Sequence, residues 1–152
     1  MSALDTNLTA AHAEVKAEIA RTDNKTGLLL AFIGALLAGV WTVAKDASLP
    51  LPALVVGGLG VALLVAAAAL LLRAVRPNLS GQAVAGFPLW ATLTGEQIRT
   101  RLADDRRGAD IANLARIALA KFTRLQRAVD LVQAAGALLI LAALIGIGGA
   151  LA

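Results

Sequence analysis

Three long stretches of the sequence contain no Asp, Glu, Lys or Arg. They extend from Thr26 to Ala44, from Ala47 to Leu72 and from Leu131 to Ala152. An α-helix rises about 1.5 Å per residue, so each stretch is long enough to cross the roughly 30 Å hydrocarbon core of a bilayer. The sequence therefore predicts an all-α membrane protein with three transmembrane helices, and the lipid bilayer as a partner.

The composition supports this class and excludes several others. Hydrophobic residues make up 59% of the 152 residues, and the mean hydropathy of +0.77 is well above what one soluble core needs. The net charge of +4 would suggest nucleic-acid binding in a soluble protein, but membrane topology explains basic loops here, so no nucleic-acid partner is expected. The chain has no cysteine, which excludes disulfides, thiolate nucleophiles and cysteine metal sites.

The distribution of basic residues predicts the topology. The segment 73–130 carries ten of the fourteen Lys and Arg residues, the N-terminal arm carries three, and the loop after the first apolar stretch carries one. Cytoplasmic segments are enriched in Lys and Arg, so the N-terminus and the segment 73–130 are expected in the cytoplasm. The short loop and the C-terminus are then expected on the outer side.

The order of polar and apolar patterns divides the chain into four parts. Residues 1–26 predict a cytosolic amphipathic helix that continues into the first span, with Ser2 and Asp5 as a capping pair. Residues 27–72 predict a transmembrane hairpin with spans at about 27–44 and 51–72. Residues 73–130 predict a cytosolic loop and a basic helix, and residues 131–152 the third span. The N-terminal helix and the first half of a long C-terminal helix are expected to form a cytosolic helical module.

Helix signals return at Thr94 after a segment rich in Gly, Pro and Ser. Thr94 is a candidate N-cap, Glu96 and Gln97 follow, and no proline occurs from there to Ala152. Apolar residues then keep one face, with Gly108 as the weak point. The pattern predicts a single helix of some fifty residues, cytosolic at its start and intramembrane at its end.

Small residues recur at four-residue spacing in all three spans. The pairs are Gly34 and Ala38, Ala35 and Gly39, Ala53 and Gly57, Gly58 and Ala62, and the series Ala142, Gly146 and Ala150. Such faces let helix backbones approach closely in lipid, where association depends on packing. The repetition predicts tight helix packing, either within one chain or between chains of a homo-oligomer.

No residue pattern points to catalysis or metal binding. The sole histidine, His12, has no second ligand arranged around it, and the run "DDRRGAD" at 104–110 is typical of a solvated helix face. No ionisable residue lies inside a predicted span, which disfavours pumps and ion-coupled transporters. The sequence therefore predicts a protein that is not an enzyme and that has no cofactor or metal.

The basic residues of the C-terminal half have two interpretations. They either set the topology and contact anionic headgroups, or part of them forms an anion pocket, since Arg binds phosphate with two parallel hydrogen bonds. Asp23 and Lys25 precede the first span and, being two residues apart, each need a partner elsewhere. The basic set is Arg99, Arg101, Arg106, Arg107, Arg116, Lys121, Arg124 and Arg127.

Three segments resemble the transmembrane effectors of bacterial Pycsar anti-phage systems. They are "RTDNKTGLLLAFIGALLAG", where Asp-x-Lys precedes a Gly- and Ala-rich span, "RPNLSG" followed by "GFPLW", and "IANLARIALAKFTRLQRAVDLV" before the last span. An aromatic residue is usual in the family at the position of Phe122, after the Lys that matches Lys121. The resemblance covers most of the chain from residue 21 onward.

This resemblance implies a function and a ligand. In such systems a cyclase makes a cyclic pyrimidine mononucleotide, and the membrane effector responds by impairing the membrane. It implies an inner-membrane effector with cyclic UMP or cyclic CMP as ligand. The polar positions that resemble the family are Asp23, Lys25, Lys121 and Arg124. Together with the anion-pocket hypothesis, the candidate ligand-binding residues are Asp23, Lys25, Arg107, Lys121 and Arg124.

Two other functions remain open from the sequence. One is a constitutive membrane adaptor whose cytosolic helices dock a protein partner. The other is a holin-like membrane-permeabilising protein, which the large basic segment 73–130 disfavours. The chain has no room for a β-barrel cyclic-nucleotide domain of roughly 120 residues beside three spans, so any ligand sensing falls to the helical part.

Reporter fusions test the predicted topology. Because the basic residues concentrate in 73–130, a tag inserted at residue 80 is expected to report the cytoplasm, and a tag after Ala152 the outer side. Paired alkaline phosphatase and green fluorescent protein fusions distinguish the two compartments. A cytoplasmic tag after Ala152 would contradict the odd number of spans.

Overall fold

The computed structural model describes residues 2–75, 89 and 91–151, and these ranges form helices and short connections. The helices are α1 (Ala3–Ala44), α2 (Leu51–Val75), α3 (Gly95–Ala103) and α4 (Arg107–Leu151). The described ranges contain no strand. The predicted all-α class is confirmed, and α1, α2 and α4 are each long and apolar enough to cross a membrane.

Helix α1 begins at the predicted capping pair and runs without interruption into the first span. The Asp5 backbone N donates to Ser2 Oγ at 3.2 Å, and the Ser2 backbone N donates to Asp5 Oδ2 at 3.3 Å. This reciprocal pair supplies partners for backbone donors that a helix start leaves free. The predicted continuity through Gly27 is confirmed, because the helix ends only at Ala44.

The connection between α1 and α2 is short, as a helical hairpin requires. The Lys45 backbone N still donates to the Trp41 carbonyl at 3.1 Å, and the Leu54 N donates to the Pro50 carbonyl at 3.1 Å. Pro50 therefore stands directly before the first helical residue, where the fixed φ and missing N–H of proline cost nothing. Most of the predicted loop after the second span, 76–88 and Trp90, lies outside the described residues.

The prediction of one unbroken helix from Thr94 onward is wrong. Thr94 does cap a helix, because the Gln97 N donates to Thr94 Oγ1 and Gln97 Oε1 accepts from the Thr94 N at 2.9 Å. That helix, α3, ends at Ala103, and α4 starts at Arg107. Between them Asp105 Oδ1 accepts from the Arg107 backbone N at 3.1 Å, which offers the chain a new helix start in place of continuation.

The chain divides into two compact units. The first unit contains Met1–Arg21 and Arg76–Ala120, and the second contains Thr22–Val75 and Lys121–Ala152. In the first unit, Leu8, Val15 and Ile19 of α1 are half-buried, in line with the predicted amphipathic face. The predicted boundaries at 26, 72 and 130 separate membrane-spanning parts from cytosolic parts, whereas the two units are defined by contacts within the chain. The predicted boundaries and the cytosolic location of the module therefore stay predictions.

The core of the second unit is built from α1, α2 and α4. Its fully buried residues are Ile33, Leu64, Ala67, Leu71, Ala128 and Ala135. Small residues bring the helices close: a Cβ placed on Gly60 would lie 3.2 Å from the Ala135 carbonyl oxygen and 3.1 Å from Leu139 Cγ. A Cβ on Gly57 would lie 3.5 Å from the Ala142 Cβ, so α2 and α4 pack antiparallel.

The predicted small-residue faces fall into two groups. Ala53 is buried and Gly57 lies against Ala142, so these faces pack inside the second unit. Gly146 also packs inside it, against Leu49. The structure describes no side chain for Ala150, and the other small residues of these faces are exposed: Gly34, Ala35, Ala38, Gly39, Gly58 and Ala62. Tight packing within the chain thus accounts for one group of these faces and leaves the other uncovered.

The close approach at Gly60 gives a test of this packing. Gly60→Ala is expected to lower the free energy of unfolding by about 1 to 3 kcal/mol relative to Gly58→Ala, because its methyl group would press on Ala135 and Leu139. Gly58 has open space around its Cβ position. Both variants gain the same helix propensity, so their difference isolates the packing effect. Unfolding by SDS titration in mixed micelles measures it, and equal stability of the two variants would contradict the described packing.

Candidate functional site

In the first unit, Arg107 joins the start of α4 to the start of α1. Its Nε and Nη2 donate to the two carboxylate oxygens of Asp105 at 2.9 and 2.8 Å. Its Nη1 donates to Thr9 Oγ1 at 2.9 Å and to the Asp5 carbonyl at 3.2 Å, and Nη2 also donates to Asp5 Oδ1. All five guanidinium N–H groups of Arg107 therefore have acceptors.

This cluster shifts the pKa values of its members. Hydrogen bonds from Arg107 lower the pKa of Asp105 from its ordinary 3.8 to about 2. Hydrogen bonds from Arg107 and from Ser2 lower the pKa of Asp5 as well, and the two carboxylates raise the pKa of Arg107. Each shift has the same cause, since hydrogen bonds to a charged form stabilise that form. The cluster is fully ionised at neutral pH.

In the second unit, Lys121 of α4 forms an ion pair with Asp23 of α1. Lys121 Nζ donates to Asp23 Oδ1 at 2.6 Å and to Oδ2 at 2.9 Å. The Lys121 side chain is 21% exposed and that of Asp23 43% exposed. Thr22 and Thr26, which are close to Asp23 in the sequence, are both buried. Thr26 Oγ1 donates to the Thr22 carbonyl at 2.8 Å. The pair lies just before the charge-free stretch that begins at Thr26.

The structure brings together some of the five predicted ligand-binding residues and separates others. Asp23 and Lys121 are in contact, whereas Lys25 and Arg124 are exposed. Arg124 follows Lys121 by three residues, so both lie on neighbouring positions of one helix face. Arg107 belongs to the first unit, where carboxylates occupy its donors. Whether any of the five contacts a ligand stays a prediction.

Sequence reasoning missed the acceptors around Arg107. The sequence pattern indicates only a helix cap at Asp5 and only part of a solvated run at Asp105. One local signal was available, because an Asp two residues before a basic helix residue can accept both its backbone N–H and its side chain. The contacts with Asp5 and Thr9 join residues about a hundred positions apart, and no local pattern indicates them.

A shallow depression of about 670 Å³ lies in the first unit, and its charges do not suit a phosphate. Its lining includes Leu93, Glu96, Asp104 and Arg106. Two carboxylates against one guanidinium give this surface no excess of positive charge at neutral pH, which disfavours an anion. Within the described ranges, no group of three or more His, Asp or Glu side chains is placed to hold a metal ion.

Comparison with known families identifies one match. A family model described as PycTM, the Pycsar effector protein domain, matches residues 7–148 of this chain. The match includes most of α1, all of α2 and α3, and α4 up to residue 148. No curated protein and no solved structure matches the chain.

The lowered pKa values predict how acid affects the first unit. Both carboxylates have a lower pKa folded than unfolded, so their stabilising effect is present above the ordinary pKa of 3.8 and is lost at lower pH, for Asp105 as the pH falls through about 2. Amide hydrogen exchange at Asp5–Thr9, corrected for the intrinsic rate, is expected to lose protection in that interval. Arg107→Gln should show weaker protection at pH 6 and little further change on acidification.

A matched variant controls for a general effect of lost charge. Arg116 is exposed and lies on the same helix and in the same unit, so Arg116→Gln should keep the wild-type pH profile. The same acid dependence in wild type and Arg107→Gln would show that the cluster does not hold the start of α1.

Proposed function

The chain belongs to the Pycsar effector family, and we propose that it is a membrane effector of anti-phage defence which a cyclic pyrimidine mononucleotide activates to impair the inner membrane. The observation that carries this proposal is the family match across residues 7–148, which includes most or all of each helix able to span a membrane. Cyclic UMP and cyclic CMP are the proposed ligands. The proposal assigns the chain no catalytic step.

The contacts of the basic residues favour Lys121 and Arg124 over Arg107 as the place where the nucleotide phosphate binds. A ligand at Arg107 would have to displace two carboxylates, a hydroxyl group and a backbone carbonyl, since the five N–H groups of Arg107 all have acceptors. Lys121 binds one carboxylate through two of its three N–H donors. Arg124 is exposed one turn further along α4. The proposed phosphate site is therefore Lys121 together with Arg124.

A phosphate at this site would compete with Asp23. A cyclic mononucleotide carries one negative charge on its phosphate, as Asp23 does on its carboxylate, and Arg124 adds a planar guanidinium that can bind phosphate through two hydrogen bonds. The ligand therefore gains a contact that Asp23 does not make. Binding at Lys121 would release Asp23 and with it the polar link between α1 and α4.

The loss of that link would matter in a bilayer. Lipid chains are as apolar as the helix surfaces, so association of α1 with α4 depends on side-chain packing and on polar contacts rather than on hydrophobicity. The Asp23–Lys121 pair lies where the charge-free part of α1 begins. Its release would loosen α1 from α4 at the membrane surface, and the proposed effector would then rearrange and make the membrane leaky.

A cellular experiment tests this function. Expression with a pyrimidine nucleotide cyclase is expected to depolarise bacteria, as measured with a potential-sensitive dye, whereas either protein alone should not. Arg124→Glu puts a carboxylate at the proposed phosphate site and should raise the nucleotide concentration needed by about tenfold or more. Arg116→Glu is the matched control and should respond like wild type, because Arg116 is also exposed on α4 but lies outside the proposed site.

Each outcome bears on a different part of the proposal. A retained membrane potential, while the nucleotide accumulates and the wild-type protein is in the membrane, would refute the effector function and favour an adaptor. Depolarisation without the cyclase would favour a holin-like activity. A wild-type response of Arg124→Glu would remove Arg124 from the site and leave the effector function intact.

A further inference from the structure

Three polar residues of α4 share one exposed face of the second unit. Gln126, Asp130 and Gln133 are spaced by four and three residues, so their side chains leave the helix in nearly the same direction. All three are exposed, while the buried residues Ala128 and Ala135 lie on the side that faces the core. The face continues toward the C-terminus through the small, exposed residue Ala137.

The packing of α4 against α2 places this face at membrane depth. Gly57 lies against Ala142, and Gly60 against Ala135 and Leu139, in antiparallel register. Continued along the helices, the register places Asp130 level with about residue 68 of α2. The charge-free stretch of α2 extends to Leu72. At about 1.5 Å per residue, Asp130 lies about 6 Å inside the end of that stretch.

The contact between α4 and α1 gives the same result. Lys121 pairs with Asp23, and Ile33 further along α1 shares the core with Ala128 and Ala135, so these two helices run parallel. Nine residues after the pair, Asp130 is level with Phe32. The charge-free part of α1 begins at Thr26, which places Asp130 about 9 Å beyond its start. Two independent registers thus put the Asp130 carboxylate level with the charge-free parts of α1 and α2.

Within one chain, over the residues that the structure describes, the Asp130 carboxylate has neither a basic partner nor the length to reach the headgroups. Arg127, one turn nearer the cytoplasmic end, has a long stem that can extend its charge to the headgroups, but an Asp side chain is too short to do so. Within the described residues no salt bridge joins Asp130 to Arg127 or to another basic residue. An exposed carboxylate at this depth is costly in lipid, and polar side chains there usually contact one another or a partner helix.

We propose that the face formed by Gln126, Asp130 and Gln133 docks against a second copy of this chain in the membrane. The face is self-complementary, because two carboxamide groups that can donate hydrogen bonds flank one carboxylate that accepts them. In a parallel two-fold pair the copies stay level, and each side chain packs between facing residues about one turn apart, so Asp130 of one chain can contact Gln126 or Gln133 of the other. Ala137 allows the helix backbones to approach closely one turn deeper.

Cysteine crosslinking tests this interface without any need for nucleotide or leakage. The sequence has no native cysteine, so a single introduced one reports one position. Ala137→Cys lies on the proposed face, and Ala143→Cys is an exposed matched control about 120° away around the helix. Oxidation of bacterial membranes with copper phenanthroline is expected to give a disulfide dimer with Ala137→Cys and little with Ala143→Cys, with or without cyclic UMP and cyclic CMP.

A second variant links the dimer to the polar residues. Asp130→Leu in the Ala137→Cys background removes the proposed hydrogen bonds and should lower the crosslinked fraction about fivefold. It should still insert, since leucine suits lipid better than aspartate, and carbonate-resistant membrane association checks this. Equal crosslinking at the two cysteine positions, or an unchanged dimer with Asp130→Leu, would overturn the proposal. Neither result depends on whether the membrane is depolarised, so failure of this interface is distinguishable from failure of the proposed function.

Discussion

The hydrocarbon core of a bilayer offers the backbone no hydrogen bonds from water, and this constraint governs the second unit. Every N–H and C=O group at membrane depth must find its partner within the chain, which requires uninterrupted helices. Side-chain hydroxyls follow the same rule: Thr26 donates to the Thr22 carbonyl, and Thr42 donates to the Ala38 carbonyl at 2.9 Å. The large apolar residues of the spans can then face outward, as Leu28, Trp41 and Ile140 do.

Helices whose backbone hydrogen bonds are all formed still have to associate, and lipid provides no hydrophobic force between them. The second unit uses two means. Close approach at Gly57 and Gly60 increases the packing contacts of α2 with α4, and the Asp23–Lys121 pair joins α1 to α4 at the start of the charge-free stretch. The first of these is built from atoms that no soluble ligand reaches. The second is ionic and partly exposed, which makes it the contact that a phosphate could replace, and the proposed activation rests on that difference.

Local chemistry made much of the fold predictable. The sequence indicates both helix starts, through the Ser2–Asp5 pair and the N-cap Thr94, because each cap bonds to a residue three positions away. The break before α4 is equally local, but the sequence pattern does not indicate it. The apolar periodicity continues through the break, while the Arg107 backbone N donates to Asp105 instead of continuing the helix. The resemblance to the family pointed to Asp23 and Lys121, and spacing showed that Asp23 needed a distant partner. It did not show that the two residues are each other's partner.

The sequence by itself determined the helical class, the three possible spans and the family, because charge-free length, capping spacing and family motifs are all properties of the linear chain. The tertiary structure alone decided which small-residue faces are covered, which acceptors Arg107 binds and which residues of α1 and α2 lie level with Asp130. The physical reason is that each of these depends on the rotation and register of helices that are far apart in sequence. Lys121 and Asp23, for example, are 98 residues apart, and only packing brings such positions within hydrogen-bond distance.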